Sequence, residues 1–105
     1  MRAGELRHLV EIFKPIRTLG ADGEETLSWT KDHEAWARID FATSREALQA
    51  KQVYADATHE IKMRVGGVVT VNDRIMFGAR IFNVLSVANL RERDIEYFIV
   101  AKEVL

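Results

Sequence analysis

The strongest constraint on the fold is a regular alternation of apolar and polar residues over residues 58–65. Such a period of two is typical of a β-strand that has one buried face and one solvated face. A chain of 105 residues buries only about two-thirds of its unfolded surface. The strand must therefore belong to a single small core, and we predict one β-rich domain over residues 1–105. The positions predicted to face the core are His59, Ile61, Met63 and Val65, and those predicted to face water are Thr58, Glu60, Lys62 and Arg64.

Turn residues divide the remainder of the chain into further short strands. Pro15 is predicted to stop the first strand, and the polar residues 31–34 are predicted to separate two others. Gly78-Ala79 suits a type II′ turn between two strands. Residues 18–25, which include two glycines and an aspartate, are predicted to form a turn or mobile loop. The pattern predicts about five to seven antiparallel strands in a small β-barrel or sandwich, with one short α-helix in a long connection. The predicted strands span residues 6–13, 26–30, 35–41, 58–65, 74–77, 80–87 and 95–104.

The long connection contains a polar, helix-like stretch, which we call the helical segment (residues 43–56). Thr43 and Glu46 stand at the spacing of a capping box. The segment has too few large apolar residues to be a core element, so we expect it to lie against a surface. A small β domain rarely orders so long a connection unless it has a use. Its thin apolar stripe comprises Ala47, Ala50 and Tyr54, with Leu48 nearby.

Charge and composition exclude several classes of protein. The formal net charge is −1, whereas proteins that capture nucleic acid through its phosphates are usually clearly basic. The chain has no cysteine, which excludes disulfides and thiolate metal sites and agrees with synthesis in a reducing cytoplasm. No apolar run approaches the roughly 20 residues of a membrane span, and no signal peptide is predicted.

The sequence offers no catalytic constellation. None of the three histidines has a second histidine at the spacing of a local metal site. His59 is expected to be a hydrogen-bonded core or interface residue, and Asp32-His33-Glu34 is expected to be a solvated connection. We predict that the protein is not an enzyme and that it has no metal site and no cofactor.

Trp29 and Trp36 carry large areas that a core could bury. We expect both to be core residues. The alternative is that they stack on bases, together with nearby arginines such as Arg38. This defines a second hypothesis for function, a small barrel of OB type that binds single-stranded nucleic acid.

Several short motifs together resemble the head–tail joining proteins of tailed bacteriophages, the small adaptor or stopper family of siphophages. The resemblance rests on the order and spacing of these motifs over most of the chain. They are Met1-Arg2-Ala3-Gly4-x-Leu6-Arg7-His8 with Ile12 and Pro15, Asp22-Gly23, Trp29, Trp36-Ala37-Arg38-Ile39, Arg45-Glu46, Ala50-x-Gln52-Val53, Thr58-His59-x-Ile61-x-x-Arg64, Asp73-Arg74-Ile75, Gly78-x-x-Phe82-x-Val84 and the charged turn Arg91 to Asp94.

The resemblance implies a structural virion protein at the head–tail interface of a phage or prophage, made in the host cytoplasm. It implies a homo-oligomeric ring beneath the portal that joins head to tail and closes the DNA channel through the loop between residues 41 and 57. The implied partners are the portal or a portal-proximal adaptor, tail-side proteins, other copies of the chain and, non-specifically, DNA in the channel, but no membrane.

Two sets of residues are candidates for these contacts. The helical segment is either a lid over an open barrel end or a subunit-interface or channel loop. The mixed-charge turn near residue 92 is either a solvated turn or an interface between identical subunits. The candidate residues are Thr43, Arg45, Glu46, Gln49, Lys51, Gln52 and Tyr54 in the segment, and Arg91, Glu92, Arg93 and Asp94 in the turn.

Overall fold

The computed structural model describes residues 7–64, 68–90 and 96–104 of the chain. Six antiparallel strands form a closed barrel in the order β1-β2-β3-β6-β5-β4, and one helix lies between β2 and β3. This confirms the predicted mainly β class with a single short helix. The elements are β1 (His8–Leu19), β2 (Glu25–Phe41), α1 (Arg45–Ala50), β3 (His59–Arg64), β4 (Arg74–Phe77), β5 (Arg80–Leu90) and β6 (Glu96–Val104).

The barrel interior is filled by the inward side chains of all six strands. On β3 the inward residues His59, Ile61 and Met63 are buried, as the alternation predicts. The prediction that the other face is wet is wrong at Glu60, which is buried because the helical segment lies over it. The buried core cluster comprises Val10, Ile12, Ala35, Ala37, Ile61, Met63, Val69, Ile75, Phe82, Val84, Tyr97, Ile99 and Ala101.

Two predicted strand breaks are wrong. β1 continues through Pro15, which lies opposite Trp29 on β2. Proline is tolerated there because β1 pairs with β4 only at residues 11–13, so the missing N–H at position 15 breaks no hydrogen bond to β4. β2 continues through residues 31–34 because a β-bulge absorbs one residue. Ile12 pairs with His33 and Phe13 with Lys31, so that Asp32 is the extra residue.

The two hairpin turns are those that the glycines predict. Gly78 has φ 60° between β4 and β5, and Ala79 keeps a negative φ, which together fit a type II′ turn. Gly23 has φ 85° at the turn between β1 and β2, where Gly23 N donates to Gly20 O at 3.0 Å. A residue with a Cβ would be strained at either position.

Beyond the barrel, β1 and β2 continue as a two-stranded ribbon, which we call the hairpin arm (residues 14–30). Over this range β1 and β2 pair with each other, and neither pairs with a third strand in the described residues. The molecule is accordingly elongated, with extents of 49 × 29 × 28 Å. Isolated two-stranded hairpins are marginally stable in water, so the arm depends on how its base is held.

A partly buried ion pair holds the base of the arm. Lys14 Nζ lies 2.5 Å from Asp73 Oδ2 and donates at 2.7 Å to the Val68 carbonyl. The buried Asp73 carboxylate also accepts from Thr70 N at 2.7 Å and from Thr70 Oγ1 at 3.1 Å. One carboxylate therefore joins the arm to the loop that precedes β4.

Replacement of Asp73 by Asn tests this connection. The amide keeps the shape of the side chain but removes the negative charge that attracts Lys14. It also replaces one carboxylate oxygen, an acceptor, by an NH2 group, which is a donor. We expect a loss of about 1.5–3 kcal/mol in the free energy of unfolding, measured by urea denaturation. Asp22→Asn, at the exposed tip of the arm, is the control and should stay within about 0.5 kcal/mol of the wild type. Equal stability of the two variants would contradict the assignment.

Candidate assembly surfaces

The helical segment begins with a helix cap that differs from the predicted one. Ser44, not Thr43, is the N-cap: its Oγ accepts from Ala47 N at 3.2 Å. Its hydroxyl also donates to Glu60 Oε2 on β3. The predicted capping box between Thr43 and Glu46 is therefore wrong, because the residue that can reach both the helix and the barrel is Ser44. This hydroxyl ties the start of the segment to the barrel wall.

The segment covers a second, smaller apolar cluster on the outside of the barrel. Ala47 is fully buried against this cluster, and Ala50 and Tyr54 pack at its edge. The expectation that the segment contributes nothing to a core is thus wrong, although small residues do the packing, as the thin stripe predicts. The cluster comprises Ala42, Ala47, Ala57, Phe98 and Val100, with Ala50, Tyr54 and Leu85 partly buried against it.

β6 explains why such a cover is needed. Residues 96–101 are all buried, since Ile99 and Ala101 face the barrel core while Phe98 and Val100 face outward beneath the segment. A strand buried on both faces is a continuous apolar run rather than an alternation. The run Tyr97 to Ala101 was the signal by which the sequence could have predicted the second cluster.

The outer side of the segment is exposed. Most candidate contact residues lie there, but Lys51 is half-buried and Tyr54 packs inward. Two apolar residues that were not candidates, Leu48 and Val53, are exposed, Val53 to 77%. The exposed candidates are Thr43, Arg45, Glu46, Gln49 and Gln52. The second candidate set, Arg91, Glu92, Arg93 and Asp94, lies outside the described residues.

His59 lies between Phe41, at the end of β2, and Arg80 and Phe82 on β5. Its ring centroid is 5.0 Å from that of Phe41 and 5.1 Å from that of Phe82. Its Nδ1 is 2.9 Å from Thr58 Oγ1, and its Nε2 is 3.3 Å from Arg80 Nη2. Burial lowers the pKa of His59, and the Arg80 charge acts in the same direction. The prediction of a hydrogen-bonded core or interface histidine is confirmed.

Arg80 and Glu103 form a two-pronged ion pair beside this ring. Nε and Nη2 of Arg80 donate to Glu103 at 2.9 and 3.0 Å. The pair raises the pKa of Arg80 and lowers that of Glu103. The Phe41 ring at the mouth of this cluster is 71% exposed, so an apolar side chain and a fixed ion pair lie together at the surface.

The hairpin arm supplies a surface that the sequence did not single out. The face of the arm that is turned toward β4 and β5 lines, together with those strands, a cleft of about 350 Å³, which we call the arm cleft. The Arg74 guanidinium lies 4.1 Å from the centroid of the Trp29 ring and donates to Asn83 Oδ1 at 3.2 Å. The cleft is lined by Pro15, Arg17, Leu27, Trp29, Asn72, Arg74, Asn83, Val84 and Leu85.

The two tryptophans are not both core residues. Trp29 is half-buried in the arm cleft, and Trp36 is 54% exposed on the barrel wall. Trp36 is exposed because β2 alternates and its neighbours Ala35 and Ala37 take the inward positions. Arg74 already covers one face of Trp29, which leaves less of that ring for base stacking.

Asp32 and His33 lie on β2 rather than in a connection, with His33 Nδ1 2.6 Å from Asp32 Oδ2.

The described ranges contain neither a metal-binding cluster nor a membrane-spanning helix. Over residues 7–64, 68–90 and 96–104, no cluster of three or more His, Asp or Glu side chains is arranged to hold a metal ion. Within those same ranges, no helix has the length and apolar character needed to cross a bilayer. The surfaces that stand out are the helical segment, the His59 cluster and the arm cleft.

Comparison with known families decides which class of protein carries these surfaces. The family model described as phage head completion protein matches residues 1–104. The chain belongs to the phage head completion protein family. It is therefore a structural component of the phage virion that acts where head and tail are joined, as the resemblance implies. Its partners are accordingly other proteins of the phage head and tail.

Two solved structures share the fold of this head completion protein. Protein SF1141 from Shigella flexneri 2a, solved in solution, has a TM-score of 0.75 and 23% identity over 98% of this chain and 96% of its own. A chain of the virion of a native gene transfer agent particle has a TM-score of 0.67 and 23% identity over 94% of this chain and 96% of its own. Comparison with curated proteins gives no significant match.

The cap of the helical segment gives a first prediction for this head completion protein. Ser44→Ala removes the N-cap and the donor to the buried Glu60 carboxylate, whereas Thr43→Ala removes neither. We expect Ser44→Ala to cost about 1–2 kcal/mol of stability and to speed amide exchange at residues 47–50. Thr43→Ala should change both quantities little. Hydrogen exchange by NMR compares them, and equal effects would contradict the Ser44 assignment.

His59 gives a second prediction. Its pKa is lower in the folded state than in the unfolded chain, where it is about 6.5. The unfolded state therefore binds more protons below that value, and stability should fall as the pH decreases through about 6.5. We expect His59→Gln to flatten this fall between about pH 7 and pH 5.5. Urea denaturation at several pH values measures it, and an unchanged slope would show that another group is responsible.

Proposed function

We propose that this head completion protein assembles into a ring beneath the portal, joins head to tail and closes the DNA channel with its helical segment. The observation that carries the proposal is the construction of this segment. It is a polar outer layer on a complete barrel, attached through small side chains, Tyr54, the Ser44–Glu60 hydrogen bond and the exposed Asp56–Lys102 ion pair. Membership in the head completion family supports the place of action.

The attachment of the segment suits a part that changes its contacts on assembly. A helix of six residues is too short to persist in water without tertiary contacts, so the packing of Ala47 and the cap decide its conformation. Contacts of this kind can be exchanged for contacts with a neighbour at little cost in free energy. The exposed Val53 and Leu48 then supply apolar area to such a neighbour.

The charge of the segment suits a channel through which DNA passes. Arg45 and Lys51 balance Glu46 and Asp56, so the segment has no net charge. Strong phosphate binding would hold DNA in place, because each neutralised phosphate adds to the affinity. A neutral polar surface excludes DNA by its bulk and leaves it free to slide when the channel opens.

A reconstitution test uses DNA-filled heads that lack this protein. Purified wild-type protein should restore tail attachment and protect the packaged DNA from nuclease. Arg45→Glu with Lys51→Glu should lower both yields by about tenfold, equivalent to about 1.4 kcal/mol. The control, Arg38→Glu with Arg64→Glu, makes the same charge change on the barrel wall and should act like the wild type. Point substitutions are preferred to a deletion because the segment covers Phe98 and Val100.

Two results would overturn the proposal. Failure of the wild-type protein to bind the heads would remove the place of action. Full tail attachment and DNA protection with the Arg45 and Lys51 variant, checked for folding by circular dichroism, would remove the role of the helical segment.

A further inference from the structure

The hairpin arm has opposite charges at its two ends. The described residues that line the arm cleft include Arg17 and Arg74 and no acidic residue. The tip of the arm, residues 20–25, includes Asp22, Glu24 and Glu25 and no basic residue. The two surfaces are complementary in charge, yet both belong to one chain.

Arg74 is the fixed cation of the cleft. Its guanidinium lies against the Trp29 ring at 4.1 Å, and its Nε is directed to Asn83 Oδ1 at 3.2 Å. No carboxylate of the described residues forms an ion pair with Arg74, whereas Arg17 pairs with Glu25 at 2.9 Å. A guanidinium that is oriented by its neighbours loses little side-chain entropy when it binds a carboxylate. The cleft therefore presents one preorganised site for an anion.

The acidic tip of the arm is a turn whose conformation is fixed by hydrogen bonds. Gly20 N donates to Glu24 O at 2.6 Å, and Glu24 N donates to Asp22 Oδ1 at 3.3 Å. Neither Asp22 nor Glu24 pairs with a cation of the described residues. Leu19, the last residue of β1, is 73% exposed beside these carboxylates. The tip therefore combines an apolar side chain with two carboxylates that pair with no cation in the part of the chain that the structure describes.

Asp22 and Glu24 at the tip cannot reach Arg74 in the cleft of their own chain, although Glu25, the last residue of the tip, pairs with Arg17. Pro15 lines the cleft and Leu19 ends the strand, and four residues of extended strand span about 13 Å. The turn lies beyond Leu19, and both strands would have to break for it to fold back. A second copy can supply the tip without any such distortion.

We propose that the arm tip of one copy binds the arm cleft of the next, with Asp22 and Glu24 facing Arg74 and Leu19 packing on Leu27. The two surfaces differ, so the contact is heterologous, and a repeated heterologous contact closes into a ring when the rotation allows. This inference rests on the proposed ring and identifies the contact between its subunits. Opposite charges at the two surfaces also favour the head-to-tail arrangement over tip-to-tip pairing, which would bring like charges together.

Cross-linking tests this contact directly, because the full chain has no native cysteine. Ala21→Cys at the tip is combined with Leu27→Cys in the cleft, and the protein is treated with a short bismaleimide. We expect a ladder of covalent oligomers. The matched control combines Ala21→Cys with Ser28→Cys, the next residue, whose side chain points to the opposite face of the arm. It should cross-link about tenfold less, a difference equivalent to about 1.4 kcal/mol.

A mixture of the two single variants distinguishes a head-to-tail contact from a symmetric one. Ala21→Cys mixed with Leu27→Cys should give cross-linked dimers and no longer products. Each variant alone should give almost none. A dimer formed by Ala21→Cys alone would show tip-to-tip pairing and would overturn the proposal.

Charge exchange tests the role of Arg74. Glu24→Lys and Arg74→Glu, each in the Ala21→Cys, Leu27→Cys background, should reduce the ladder, and the two together should restore it. Restoration also shows that the Arg74 variant folds. Equal cross-linking of Leu27→Cys and Ser28→Cys, or no restoration, would overturn the contact.

The outcome of this test is separate from that of the reconstitution. Rings that form on heads without cross-links between tip and cleft would retain the proposed function and reject this contact. Cross-linked ladders from a protein that fails to join heads to tails would retain the contact and reject the function.

Discussion

The barrel closes through a short seam between β1 and β4, and the length of this seam determines where the hairpin arm begins. β1 meets β4 only where Glu11, Ile12 and Phe13 pair with Met76, Ile75 and Arg74. β4 has four residues, whereas β1 has twelve and β2 seventeen. Over their excess length the two long strands pair only with each other among the described residues, and this length becomes the hairpin arm. Lys14 and Asp73, at the end of the seam, hold the arm at its base.

The two candidate surfaces differ in how firmly they are built. The arm cleft is held by Arg74 on β4, which lies against the Trp29 ring of the arm and donates to Asn83 on the adjacent strand β5. The helical segment is held by small side chains, Tyr54, the Ser44 cap and the exposed Asp56–Lys102 ion pair, so its position costs little to change. A fixed cleft suits the proposed contact between subunits, and a lightly attached segment suits the proposed closure of a channel. The division follows from packing alone and needs no catalytic group.

The distribution of charge along the arm is compatible with the roles proposed for the two surfaces. The chain as a whole is nearly neutral, but the charges are segregated along the arm, with carboxylates at the tip and guanidinium groups at the base. Segregated charge favours one order of contact between identical subunits without attracting DNA phosphates overall. The proposed ring would therefore combine specificity for other copies of the chain with weak attraction for nucleic acid.

The sequence by itself determined the β class, the period of β3 and the two glycine turns, because each depends on residues close together in the chain. It also determined the family, because the order and spacing of short motifs can be read along the chain without the fold. It could not determine that Pro15 and residues 31–34 stay within strands, since the free edge of β1 and the bulge at Asp32 are set by partner strands. Nor could it place Ser44 on Glu60, which lies sixteen residues away. The helical segment was recognised locally, but its burial of Ala47 was not. Only the tertiary structure, which brings β4 and β5 beside the arm, created the cleft around Arg74.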